Sequence, residues 1–292
     1  MARHHIQSEP TSRLAIWARR MAGFAFLASL LAIGFVRWGP FEEIRPAVAA
    51  FAGTLAIAVV ALFLALAAFV VIWREGLAGL GAALAAMVVS LALLTYPAYL
   101  GIKAYRLPWI YDITTDPIDP PRYEKLAGFR GRDANPTTYA GLYAAEQQRA
   151  AYPDVGPLGT NATVQAAYDA ALVAVNKGKD SFFAPYWRVI DHRAPSPGRP
   201  EGRIEAIART PIMGFRDDVV VRVRAEPGGV RIDARSSSRY GSFDFGTNAA
   251  RVRRLMNDIE DAMRAQKPER PAPPPAFGKK KTPLLKKDRT KR

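Results

Sequence analysis

The chemistry available to this chain rests on carboxylate, hydroxyl, amide and guanidinium groups. Its 292 residues contain no cysteine and three histidines. Disulfides, thiolate nucleophiles and cysteine-based metal sites are therefore excluded. Three groupings remain. The first is Arg235, Ser237, Arg239, Asp244, Asn248 and Arg251, which spans a strand end, a turn flanked by Gly241 and Gly246, and a helix start. Arginines beside helix N-terminal amides suit a phosphate or carboxylate, so Arg235, Arg239, Asn248 and Arg251 are candidate anion-binding residues. In the alternative, Arg239 and Asp244 pair to hold the turn while Thr247 or Asn248 caps the helix.

The second grouping is Asp112, Thr114, Thr115, Asp116 and Asp119, whose hard oxygens are of the kind calcium takes. The spacing lacks the alternation and glycine of an EF-hand, and Asp or Thr near proline commonly forms turns. No metal ligand is assigned there, and the role of the motif stays open. The third is Asp217 and Asp218, with His192 as an acid–base companion. No nucleophile elbow, Walker loop or zinc helix accompanies them, so no catalytic residue and no cofactor is expected.

These residues follow a strongly apolar first third. Residues 21–36, 46–73 and 76–102 form three uncharged or nearly uncharged stretches, apart from Arg74 and Glu75 at the second junction. Without water, backbone groups in such stretches must bond internally, so three transmembrane helices are predicted at about 17–38, 48–72 and 77–100. Trp17 and Trp38 stand at the two ends of the first as interface anchors. A cleaved signal peptide ending near Ala47-Val48-Ala49 is the competing reading, disfavoured by Glu42 and Glu43 in the gap. Arg3, Arg13, Arg19, Arg20 and Arg74 flank one side, against Arg37, Arg45, Lys103 and Arg106 on the other. The positive-inside rule then predicts residues 1–15 in the cytoplasm and the C-terminal half outside it. Small residues at Ala78, Ala82, Ala86 and Ser90, and at Ala52, Gly53 and Ala56, permit close helix contact, within the chain or with a protein partner.

Residues 103–265 read as a soluble α+β domain. Prolines bar regular helix from the run 107–121. A helix is predicted over 162–177, capped by Asn161 and stopped by Gly178. Period-two alternation gives four antiparallel strands near 186–192, 202–209, 216–225 and 229–237, with a hairpin at Glu226-Pro227-Gly228-Gly229. Val219, Val221, Val223, Val230, Ile232 and Ala234 mark a core face, and Arg222, Arg224, Arg231, Asp233 and Arg235 a water-facing one. A last helix is predicted over 247–264. Residues 264–292 hold 11 basic and 2 acidic residues, or +9 of the net charge of +15. The Pro/Lys-rich stretch 266–292 is expected to be disordered, with anionic lipid or an envelope polymer as its partner. It lacks interleaved aromatics, so nucleic acid is not expected.

Several blocks occur in a distinctive order: Asp112-Ile113-Thr114-Thr115-Asp116-Pro117, Gly202-Arg203-Ile204-Glu205-Ala206, Gly214-Phe215-Arg216-Asp217-Asp218, Asp233-Ala234-Arg235-Ser236-Ser237-Ser238-Arg239-Tyr240-Gly241 and Asp244-Phe245-Gly246-Thr247-Asn248. Over about residues 107–265 the chain resembles the bacterial family called domain of unknown function 1499. The resemblance implies membrane or envelope association and no established activity. The expectation is therefore a multi-pass inner-membrane protein presenting a periplasmic binding or scaffolding domain. The rivals are a membrane-tethered enzyme using Asp217, Asp218 or His192, and an accessory subunit of a membrane complex.

Overall fold

A computed structural model describes residues 9–39, 45–177 and 187–266. Residues 1–8, the acids Glu42 and Glu43, Gly178, Tyr186 and residues 267–292 lie outside the described residues, and with them most of the basic tail. Among the described residues, three helices, α1 (Arg13–Trp38), α2 (Arg45–Glu75) and α3 (Leu80–Arg106), are each long and apolar enough to cross a membrane. They overlap the three predicted spans and extend past most of their ends.

Alanines build the helix seam. Ala58, Ala61, Ala65 and Ala68 of α2 are fully buried at alternating spacings of three and four, facing Ala15, Ala18, Ala22 and Ala25 of α1 and Ala83 and Ala86 of α3. Small side chains let the backbones approach closely where lipid offers no hydrophobic drive for association. Ser29 and Thr54 hydrogen-bond across the seam at 2.7 Å. The seam does not use Ala52, Gly53 and Ala56, the small residues predicted for α2, which are exposed. Large side chains such as Phe24, Leu31, Phe63 and Val70 point outward, as a lipid-facing surface requires.

The domain continues with β1 (Asp112–Thr114), α4 (Gly141–Ala151), β2 (Leu158–Thr160), α5 (Val164–Lys177), β3 (Trp187–Arg193), β4 (Glu201–Arg209), β5 (Arg216–Glu226), β6 (Gly229–Ser238) and α6 (Thr247–Gln266). Among the described residues the sheet has six antiparallel strands rather than the four predicted. β3 to β6 form a meander, and β1 and β2 share the outer edge of β6. Strands of three residues carry no measurable alternation, so β1 and β2 leave no period-two signal. At Gly229 a Cβ would meet the Thr160 carbonyl at 2.6 Å, so the close approach of β2 requires glycine there. Thr163, rather than Asn161, caps α5: its Oγ1 accepts the Ala166 N–H at 3.1 Å.

One sheet face is the predicted core. Val219, Val221, Val223, Ile232 and Ala234 pack on α5 and α6 through Ala167, Tyr168, Val252, Leu255 and Ile259. Full burial of side chains the size of Ile232 or Val221 contributes roughly 1.5–3 kcal/mol each. The opposite face is largely covered, contrary to expectation, although Arg224 and Arg231 stay partly exposed. Arg222, Asp233 and Arg235 are buried beneath residues 115–139, an irregular layer that includes a short 3-10 turn at Leu126–Phe129. The domain thus has three layers: helices, sheet and an extended cover.

Replacing Ala61 by Leu overpacks the seam and should cost about 1–3 kcal/mol. The expected result is a lower temperature for loss of helical circular dichroism in detergent, with Val60→Leu on the exposed face leaving it unchanged.

Candidate functional site

The cover is fastened by charge. Arg235 donates from Nε and Nη2 to the two oxygens of Asp112 at 2.9 and 2.6 Å. It also reaches the carbonyls of Pro121 and Thr137 and lies 4.7 Å from the Tyr123 ring centre. Burial alone would push this guanidinium down, but the Asp112 carboxylate outweighs it and holds the proton more firmly than water would. Asp218 accepts from Arg239 at 2.9 and 2.7 Å on one oxygen and from Arg130 at 2.8 Å on the other. Asp116 takes Arg231 at 2.9 Å, Asp119 takes Arg222 and Arg224 at 2.9 and 2.8 Å, and Asp233 takes Arg222 at 3.1 Å. Glu205 accepts the N–H groups of Glu124 and Leu126 at 2.6 and 2.8 Å.

The predicted Asp/Thr motif is therefore the stitching of β1 and the cover onto the sheet. Thr115 donates its hydroxyl to Asp233 and accepts the Ala234 N–H. The Thr114 peptide is bracketed by the Gln148 side-chain amide, at 3.0 Å to its N–H and 2.7 Å to its carbonyl.

At the start of α6, the anticipated pairing changes partners. Arg239 binds Asp218, and Asp244 serves as the cap. Its carboxylate accepts the N–H groups of Gly246 and Asn248, each at 2.8 Å, and the Thr247 hydroxyl donates to its carbonyl at 2.8 Å. Arg251 donates to Asp217 at 2.6 Å and to Ser236 at 2.9 Å, and Asn248 donates to Tyr111 O and Ser238. Arg235, Arg239 and Arg251, proposed from sequence to receive an anion, each engage an internal carboxylate. Burial pushes the Asp244 carboxyl up to about 6, against the pull of the two amides and with a further push from Asp217.

His192 does not join Asp217 or Asp218. It bonds Tyr168 at 3.0 Å. It pairs with Ile204 while Asp217 pairs with Ala208, which separates the two by roughly 13 Å along strands of about 3.3 Å rise per residue.

An accessible feature among the described residues is a cleft of about 700 Å³ where the domain meets the bundle. The domain is seated on the ends of α1 and α3: Arg37 donates to Pro211 O at 2.7 Å and Lys103 to Phe245 O at 3.2 Å. Between these contacts, α2 and α3 form one wall of the cleft, and Phe215, Phe243 and Phe245 line the other. Asp217, Asp244 and Thr247 also line it, so part of the predicted cluster forms its floor. Phe245 adopts φ 54°, a left-handed conformation that is uncommon for an aromatic residue. Trp109 stacks on Phe243 with ring centres 5.4 Å apart. Sequence reasoning missed Arg130, Tyr123 and Gln148, which have no motif around them, and gave no role to Glu205 within its Gly202 to Ala206 block. It also missed the cleft, for which the alternation Phe243, Phe245 beside Gly241 and Gly246 was the available signal.

These features define a membrane protein in which three spanning-length helices carry a three-layered α+β domain. The chain belongs to the family described as Protein of unknown function (DUF1499), whose sequence model matches residues 112–259, from β1 into α6. No curated protein and no solved structure matches it.

Asp112→Ala leaves Arg235 buried and unpaired and should destabilise the domain by about 3–5 kcal/mol, read as a fall in the unfolding midpoint. A pH series tests Asp244. Its carboxyl keeps a proton to about pH 6 in the folded chain, whereas in the unfolded chain it ionises near its usual value of 3.8. The folded state thus holds the extra proton between these values. The resulting stabilisation is full below about pH 4 and is lost as pH rises through about 6, falling by about 1.4 kcal/mol for each pH step of one between them. Asp244→Asn should flatten the dependence of the unfolding midpoint on pH across that window.

Proposed function

We propose that this protein is a multi-pass protein of the bacterial inner membrane that presents its α+β domain outside the cytoplasm as a binding or scaffolding module. One observation carries the reading. Asp217 and Asp218, the carboxylates that a catalytic reading would recruit, are engaged by arginines, while an open apolar cleft remains at the membrane face of the domain. Asp112, Asp217 and Asp218 each hold an arginine at 2.8 Å or less. A carboxylate held this way is a poor general base, because transferring a proton to it would break a buried ion pair.

The orientation rests on charge. Arg13, Arg19, Arg20 and Arg74 lie at the end of the bundle remote from the domain, and Arg3 adds to that side in the sequence. Arg37, Arg45, Lys103 and Arg106 lie at the domain end, and the excess favours the remote end as cytoplasmic. The basic segment 267–292 is then an arm of the exported domain that meets anionic lipid or an envelope polymer.

The cysteine-free chain makes a direct test possible. A single cysteine at Ala225, beside the hairpin tip, should react with a membrane-impermeant maleimide in intact spheroplasts. Glu75→Cys, at the last residue of α2, should react only after permeabilisation. The reverse pattern would place the domain in the cytoplasm and defeat the envelope reading.

A further inference from the structure

We infer that the cleft between the bundle and the domain is a binding site for a single phospholipid with a zwitterionic headgroup, one acyl chain entering sideways from the bilayer. This names the ligand for the binding module proposed above, but it stands whichever side of the membrane carries the domain. The topology experiment and the one below can therefore fail separately.

The first observation is position. The cleft lies where α2 begins and α3 ends, at the level of Arg45 and Lys103, with Trp38, Tyr99 and Trp109 at the same end of the bundle. Charged and aromatic residues at a helix end mark the boundary between hydrocarbon and headgroups. A cavity at that depth is open to lipid before anything in solution reaches it.

The second is the shape of the α2 wall. Farther along α2, the outward positions carry Val59, Val60, Phe63 and Leu66. At the cleft they carry Val48 and, beside it, Ala49 and Ala52, which are exposed and lie outside the buried seam. Small residues at these positions are not part of the helix packing. Their missing bulk opens the space, and Phe215, Phe243 and Phe245 face it from the domain. The volume of about 700 Å³ sits within the range of about 300–1,000 Å³ typical of small-molecule pockets. Apolar walls on both sides select a hydrocarbon chain.

The third is charge at the mouth. Arg45 and Asp133, both lining the cleft, form a loose pair at 3.7 Å with side chains 74% and 54% exposed. Unlike the short buried pairs of the cover, this one costs little to separate. A phosphate beside Arg45 and an ammonium beside Asp133 reproduce the same charge pattern across a phosphoethanolamine headgroup.

The test is native mass spectrometry of the delipidated full chain in non-ionic detergent, titrated with phosphatidylethanolamine and, separately, phosphatidylglycerol. A single dominant adduct is expected with phosphatidylethanolamine, at least fivefold above that with phosphatidylglycerol. Ala52→Trp should reduce it at least tenfold and Ala49→Leu partially, each with the unfolding midpoint retained. Val60→Trp, which places the same side chain on lipid-facing surface away from the cleft, should leave it unchanged. Asp133→Lys should invert the headgroup preference. Multiple adducts of equal weight, or a single adduct that survives both Ala52→Trp and Ala49→Leu, would overturn the site. Equal binding of the two lipids with no response to Asp133→Lys would overturn the zwitterionic assignment.

Discussion

The domain depends on a sheet of buried opposite charges. On the face of β5 and β6 away from the helices, Arg222, Asp233, Arg235 and Asp218 stand where a two-layer α+β fold would meet water. Each is matched by a residue of β1 or the cover, or by a strand neighbour, so residues 115–139 are held by hydrogen bonds of fixed geometry, together with a small apolar cluster in which Tyr123 and Leu126 pack on Ile207 and Val220. Desolvating such pairs is costly, and their net contribution to stability is small. Removing one member strands the other, and that asymmetry makes the arrangement specific. An extended, proline-rich segment with little helix or strand of its own can be positioned this way because carboxylates and guanidiniums impose direction.

The same logic organises the join to the bundle. Arg37 and Lys103, at the ends of α1 and α3, donate to backbone carbonyls of the domain, and Arg209 returns a hydrogen bond to the Arg37 carbonyl at 2.6 Å. Gly246 belongs here too, since a Cβ would meet Leu107 at 2.9 Å where the chain leaves α3. With two of the three helices clamped by short hydrogen bonds, the start of α2 reaches the domain through the loose Arg45–Asp133 pair, and the cleft lies beside it. Its floor is the Asp244 cap, so the strained turn at Phe245 couples the start of α6 to the membrane-facing surface.

Much of the fold was legible in sequence. Three long apolar runs appear as three spanning-length helices, and the meander β3 to β6 and helices α5 and α6 fall within a few residues of their predicted limits. The family was legible from Asp112-Ile113-Thr114-Thr115-Asp116-Pro117 and the Asp233 to Gly241 block, and the match begins at Asp112. The Asp, Arg and Thr residues singled out for chemistry are nearly all buried or lie at the cleft. Their partners were not legible. Arg239 was paired with Asp244, its neighbour in sequence, whereas the sheet register brings it to Asp218.

The sequence by itself determined where the chain is apolar, with which period, and which residue types recur as blocks. Periodicity is a local property, written within one element, and burial of one face follows from it directly. Tertiary structure alone decided that the charged face of the sheet is covered, because Asp112 and Arg235 are separated by 123 positions and strand alternation cannot say whether a polar face meets water or an opposite charge. It also decided the cleft, which exists only because Ala49 and Ala52 of α2 and Phe243 and Phe245 of the domain meet across the junction. Neither segment carries a signal that names the other.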